Sequence, residues 1–270
     1  MSMAWLEGSL TAMTFCWRIE RRDGVAIGLT AHDRDLMIDG LRYRASPGMV
    51  PSAIERSADF GPDNVEIAGA MCSDAISEAD LLAGRWDGAA VTLFACDWET
   101  GGEPLVLASG TISDVAMEDQ GFTAELRGIA AALDLPVNEV TSPGCRAMLG
   151  DARCRVAMAG RRRFARVVAV EGAVLGIDRA EPVANAYGCG MLRWMSGGNS
   201  GLRDAIAMSD GATVTLRSLP RFAGEGALVE LIEGCDKQLS TCAERFANAG
   251  NFRGEPYLPG IDLLTRYPGE

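Results

Sequence analysis

Apolar and polar positions alternate with a period of two through most of this chain, in segments too short for long helices. Phe15-Cys16-Trp17-Arg18-Ile19 runs through the turn signal Arg22-Asp23-Gly24 into Val25-Ala26-Ile27-Gly28-Leu29, which predicts an antiparallel hairpin. Residues 91–98, 105–108, 112–117 and 122–126 read as further strands. In the last of these Phe122, Ala124 and Leu126 alternate with Thr123 and Glu125, as suits a sheet with one buried and one wet face. A short helix is predicted over residues 78–83, with Ser77 and Asp80 in capping-box spacing and Gly84 to close it. Residues 128–133 form a brief Ala-rich bridge. Leu135-Pro136 and Ser142-Pro143-Gly144 then break the chain, placing a boundary near 136–142. The second half repeats the β pattern at 164–170, 174–178, 212–216 and 227–232, while the Gly-rich stretch 188–201 reads as a long loop. One helix is predicted over residues 237–247, with Asp236 as N-cap and 248–250 ending it. The pattern therefore predicts a mainly β protein with a few short helices (β-rich α+β) in two domains, 1–138 and 139–270.

Composition narrows the function classes. With 37 acidic against 25 basic side chains the net charge is −12, the wrong sign overall for a groove that binds nucleic acid by releasing counterions. The one basic cluster, Arg161-Arg162-Arg163 with Arg155 and Arg166 nearby, suits a solvated hairpin better than a phosphate site. A single histidine, His32, rules out multi-histidine metal sites and the usual general-base chemistry. No apolar run approaches the roughly 18 residues of a membrane span, and the first residues lack a signal peptide's pattern. Synthesis and residence in a cytosol-like compartment are expected, where eight cysteines point to free thiols and metal ligation rather than disulfides.

Four of those cysteines form two like-built pairs. Cys145 and Cys154 lie nine positions apart, and Cys235 and Cys242 seven apart. Four soft thiolates are what a [4Fe–4S] cluster or a structural zinc requires. The spacings match neither ferredoxins nor zinc fingers, so spacing alone leaves open a four-thiolate site and scattered core thiols. On the predicted second helix Leu239, Cys242 and Phe246 share a face, which turns Cys242 inward. Cys235 precedes the helix, where free N–H groups favour a thiolate.

The order Cys145, Cys154, Cys235, Cys242, followed by Phe246-Ala247-Asn248-Ala249-Gly250-Asn251-Phe252-Arg253-Gly254-Glu255-Pro256 and Pro259-Gly260, resembles the C-terminal domain of the distal-tail hub proteins. That family belongs to siphophages and gene transfer agents and includes minor tail protein L of phage lambda. Cys16-Trp17-Arg18 and Leu29-Thr30-Ala31-His32-Asp33-Arg34-Asp35-Leu36 resemble the preceding N-terminal domain of the gene-transfer-agent version, so the likeness spans the chain. The resemblance implies a non-enzymatic structural protein, made in the bacterial cytoplasm and resident at the distal end of a virion-like tail. It implies a homotrimer that joins the tail tube and distal tail protein to the baseplate or tip. DNA would pass through the assembled tail without sequence-specific contact, and there would be no membrane insertion. It also implies that Cys145, Cys154, Cys235 and Cys242 hold a [4Fe–4S] cluster, with zinc as the alternative. Cys189, where relatives have a small residue, is expected to stand outside the ligand set.

Other residues carry blander expectations. His32, Asp33 and Asp35 read as turn residues, since no nucleophile accompanies them. Cys16, Cys72 and Cys96 read as core thiols, and Trp194 as packing or an inter-subunit contact. Asn248, Asn251, Phe252, Arg253 and Gly254 are expected to fold back over the cysteine site. An electron carrier or redox enzyme would need a substrate pocket or second cofactor motif, which the sequence lacks. A zinc-stabilised adaptor would use the same four thiols.

Overall fold

The computed structural model describes residues 4–6, 11–46, 50–51, 64–70, 76–99, 103–118, 121–128 and 138–258. Among these lie fifteen strands, two short α-helices and two 3₁₀ turns. The chain divides into two compact units, Met1–Val137 and Asn138–Glu270.

In the first unit β1 (Met13–Glu20), β2 (Ala26–Thr30), β3 (Leu36–Ile38), β4 (Leu41–Ala45), β5 (Val50–Pro51), β6 (Asn64–Ala70), β7 (Ala90–Asp97), β8 (Leu105–Glu118) and β9 (Gly121–Arg127) form one sheet. Its order is β3-β4-β2-β1-β7-β8-β9-β6-β5. The β1–β2 hairpin forms as the alternation predicts, pairing Trp17 with Leu29 and Ile19 with Ile27. Period-two geometry sends Trp17 and Ile19 to one face, where they meet Leu29, Trp86, Val91, Leu93 and Ile112. The opposite face buries Cys16 and Cys96 against Tyr43 and Phe94. Helix α1 (Glu78–Leu82) begins where Ser77 Oγ accepts the Asp80 N–H at 3.2 Å, and it drops Leu81 into the core. The two strands expected over 105–117 are one strand, because Gly110 pairs with Val91 and register shifts against β7 and β9 absorb the irregularity.

The second unit is a closed barrel of β10 (Arg162–Glu171), β11 (Val174–Ile177), β12 (Met191–Trp194), β13 (Arg203–Asp210), β14 (Thr213–Leu216) and β15 (Leu228–Ile232), in the order β10-β11-β14-β13-β12-β15. Alternate residues point inward: Ala165 and Val167, Leu175 and Ile177, Leu192 and Trp194, Val229 and Leu231 are all buried. Closure leaves no unpaired strand edge.

Two differences from the sequence pattern sit here. Residues 191–194, expected in a loop, form β12 because Leu192 pairs with Leu231 on one side and Asp204 on the other. Residues 203–210 form β13 although their Ala, Met, Ser and Asp content gives little alternation. Trp194 is therefore barrel core, its indole N–H donating to Asp204 Oδ2 at 2.6 Å, and the inter-subunit alternative falls away. Glycine is required where the chain leaves the barrel toward the cysteine site: a Cβ on Gly234 would stand 2.1 Å from both Gly188 O and Gly190 N. Backbone atoms cannot swing aside as side chains do. Gly234→Ala should therefore cost about 2 kcal/mol or more. Gly250→Ala, which meets nothing within 4 Å, should stay within about 0.5 kcal/mol. Chemical denaturation of the two variants checks the contrast.

Candidate functional site

Strand β15 delivers the chain through Glu233 and Gly234 to Cys235. Glu233 is 6% exposed and held by two guanidinium groups, Arg161 Nη1 at 2.7 Å and Arg245 Nη2 at 2.9 Å. Both guanidiniums also lie over the Phe246 ring, at 4.9 and 4.8 Å. Arg245 donates as well to Gly234 O and Ala186 O, so one arginine ties the end of the cysteine helix to the barrel exit.

That helix is shorter than the sequence suggested. Lys237 adopts a left-handed φ of 67°, and α2 runs only over Leu239–Glu244 with Gln238 as N-cap. Asp236 is a corner residue and not the cap: Oδ1 accepts the Gln238 N–H at 3.0 Å and Oδ2 the Thr241 hydroxyl at 2.7 Å. Cys242 is buried on the inner face, while Leu239 and Phe246 are half-buried. Past the helix the Asn248 N–H returns to Cys242 O at 2.9 Å, and Ala247 takes a φ of 48°. The bond spans seven residues, and the left-handed residue before it is one usually supplied by glycine at a helix end. A Cβ in that backbone region costs about 1 kcal/mol.

Cys145 and Cys154 lie on a loop built around Asp151. Its Oδ1 accepts the N–H groups of Cys154 at 2.6 Å and Arg153 at 2.9 Å, and its Oδ2 that of Met148 at 2.8 Å. These bonds, the Cys154 N–H foremost, hold the Asp151 carboxyl below the usual carboxylate range.

The two cysteine segments are then clasped together. Cys145 N–H donates to Lys237 O at 2.9 Å, and the Lys237 ammonium donates to Ala147 O. The chain beyond the helix closes over both: Arg253 N–H reaches Cys145 Sγ at 3.3 Å, and Asn248 Nδ2 donates to Cys154 O at 2.7 Å and lies 3.7 Å from Cys154 Sγ. Arg146 N–H donates to Arg253 O at 2.9 Å, while its guanidinium grips Glu255 through both arms, at 2.6 and 2.8 Å. Gly254 has to be glycine because Gly144 O would stand 2.6 Å from its Cβ. The fold-back of Asn248, Arg253 and Gly254 expected from sequence is thus present. Lys237, Arg146 and Glu255, which do most of the clasping, carried no signal of that role.

Burial pushes the Cys242 thiol up, and Cys235, Cys145 and Cys154 act on it in the same direction. Cys235 is also raised by burial, against the Lys237 N–H that favours its thiolate. The amide stabilisation expected at that position is present but is the weaker effect. Cys242 therefore lies within electrostatic reach of the other three thiols. Among the described residues, no group of three or more His, Cys, Asp or Glu side chains is arranged to hold one metal ion.

Cys189 is exposed, with Arg217 Nη2 4.0 Å from its sulfur. His32 lies tilted against Trp98, ring centroids 4.8 Å apart, and its Nδ1 accepts the Arg34 N–H at 3.0 Å, while Asp35 accepts the Ala45 N–H at 2.8 Å. Only the His32–Arg34 bond is local to the turn; the others pack the turn against Trp98 and the end of β4. Cys16 and Cys96 face each other at 3.7 Å in the sheet core, and Cys72 lies outside the described residues. In the basic run Arg161 pairs with Glu233, and Arg162 lies 3.9 Å from Glu230. Arg161, at the head of the run, is thus taken up by an acidic partner.

Sheet, barrel and loop clasp define a β-rich protein whose candidate site is a set of soft thiol ligands with no histidine among them. The model of the baseplate hub protein N-terminal attachment domain matches residues 2–157, and that of the phage conserved hypothetical protein BR0599 matches residues 185–262. The chain belongs to the baseplate hub protein family of phages. A chain in the solved virion of a native gene transfer agent (GTA) particle is 35% identical, with a TM-score of 0.84 over 99% of this chain and 95% of that one. No curated protein matches. Among the described residues no helix is long and apolar enough to cross a membrane.

The clasp has a pH signature. The Arg146 guanidinium, with the Ser142 N–H, pulls the Glu255 carboxyl down to about 2. In the unfolded chain a glutamate titrates near 4.3. The stabilisation is therefore full above that value and fades as pH falls toward 2. Glu255→Gln should melt below wild type at pH 6, and the gap should narrow by pH 2.5. A gap that stays constant across this range contradicts the assignment.

Proposed function

We propose that this chain is a structural hub of a phage-like tail, as in gene transfer agents, and that Cys145, Cys154, Cys235 and Cys242 hold a [4Fe–4S] cluster. The observation that carries the tail reading is the likeness to a GTA virion chain over nearly the whole length of both. In this reading the chain assembles as a homotrimer that joins the tail tube and distal tail protein to the baseplate or tip, and it has no catalytic role. The net charge of −12 suits a protein past which DNA must slide without being held.

The site supports the cluster through its donor set. Cys145, Cys154 and Cys235 all act electrostatically on Cys242, and main-chain or side-chain N–H groups approach the sulfurs of Cys145, Cys154 and Cys235. Such donors favour the thiolate form that ligation needs. A tetrahedral zinc would draw its four sulfurs to about 3.8 Å of one another, given Zn–S bonds of about 2.3 Å. No described group is so arranged for a single ion. A four-iron cluster takes one thiolate at each corner. When bound it supplies a four-point cross-link between two segments whose own links are hydrogen bonds and ion pairs.

Protein purified without oxygen should carry about four iron and four sulfide per chain. Each of Cys145→Ser, Cys154→Ser, Cys235→Ser and Cys242→Ser should lose them, whereas Cys189→Ser should retain them. Iron-free wild type contradicts the cluster. Deletion of the gene in a particle-forming host should leave particles without complete tails, and intact infective particles would contradict the hub role.

A further inference from the structure

Asn248 bonds a cysteine of each pair, through its backbone and its side-chain amide. Its backbone N–H donates to the carbonyl of Cys242, from the second pair, at 2.9 Å. Its side-chain amide donates to the carbonyl of Cys154, from the first pair, at 2.7 Å, and stands 3.7 Å from the Cys154 sulfur. These partners are 94 residues apart in sequence from Asn248 to Cys154, so the contact is set by the fold and not by chain proximity.

Three further features fix the amide in that pose. Ala247 is held at a φ of 48°, which turns the chain back so that residue 248 faces the helix it has just left. The Asn248 side-chain oxygen accepts the amide of Asn251 at 2.7 Å, so its nitrogen is the end presented to Cys154. Asn251 N–H in turn bonds Asn248 O at 2.9 Å. Asn248 is thus oriented from both ends. An oriented amide is pre-organised to donate to a sulfur that gains negative charge.

We propose that Asn248 is the positioning residue of the cysteine site: it locks Cys154 to the helix carrying Cys242 and hydrogen-bonds the Cys154 sulfur. The inference rests on the four-thiolate cluster proposed above. Hydrogen bonds to ligand sulfurs stabilise the more negatively charged, reduced state of an iron–sulfur centre. Removing this donor should make reduction harder while leaving the ligand count unchanged. A residue that only packs would affect stability and cluster retention without moving the potential.

The test compares wild type, Asn248→Ala and Asn251→Ala, all purified without oxygen and assayed for iron and sulfide, with redox titration followed by electron paramagnetic resonance. Asn248→Ala should keep its cluster under anaerobic conditions, shift the reduction equilibrium about tenfold toward the oxidised state (about 59 mV lower for one electron) and lose iron several-fold faster in air. Asn251→Ala leaves the donor in place but frees its orientation. It should shift the same way by a smaller amount, and it keeps the proposal testable if Asn248→Ala does not fold. Cluster-loaded variants with wild-type potentials overturn the role of Asn248 alone. Iron-free wild type overturns the cluster and the Asn248 role together.

Discussion

The second unit depends on a clasp between chain segments that are far apart in sequence: Cys145 N–H to Lys237 O, Lys237 ammonium to Ala147 O, and Arg146 to Glu255. Each of these bonds crosses from the loop before the barrel to the chain after it. Without them the two cysteine pairs would sit on separate, loosely held segments, since α2 is six residues long and a helix of that length has little stability of its own. Everything about the site follows from that crossing. The shared electrostatics of the thiols, the cover laid by residues 248–255 and the need for glycine at 254 all presuppose it.

Rigidity comes from the barrel, and strain is placed at its exit. The closed sheet fixes where β15 ends, and Glu233 between Arg161 and Arg245 fixes where α2 begins its packing. A buried carboxylate between two guanidiniums is costly to break because an unpaired charge would remain. Around this anchor the backbone takes up left-handed conformations at Arg155, Lys237 and Ala247, none of them glycine. Two of these lie within two residues of a candidate ligand, and the third closes the helix that carries Cys242. Strain that clusters at a site and is held by surrounding bonds is a pattern of functional centres. Here it shapes the irregular backbone that carries Cys154 and Cys235 and the end of the helix that carries Cys242.

Much of this was legible in the residues, for physical reasons that differ from element to element. The β1–β2 hairpin was legible because Arg22-Asp23-Gly24 is local turn chemistry between two alternating runs, and α1 because Ser77 caps it locally. Strands β12 and β13 were not, since Met191–Trp194 lies between glycines and Arg203–Asp210 lacks alternation; barrel closure makes them strands. The four cysteines stood out by type and by resemblance. The clasp that ties their two segments did not, because it is made by Lys237, Arg146 and Glu255, ordinary charged residues whose partners are up to 109 positions away. The start of α2 was misplaced for a related reason. Asp236 looks like a cap in sequence, but its carboxylate is used to turn the corner after Cys235.

The central claim is that one iron–sulfur centre sits among these four thiols and completes the clasp. Crystals grown without oxygen and measured on both sides of the iron absorption edge test it most directly. The account predicts one compact iron peak bounded by the sulfurs of Cys145, Cys154, Cys235 and Cys242, with Cys189 left outside. A zinc-edge signal at that place, or four unligated thiols in well-ordered density, would contradict it.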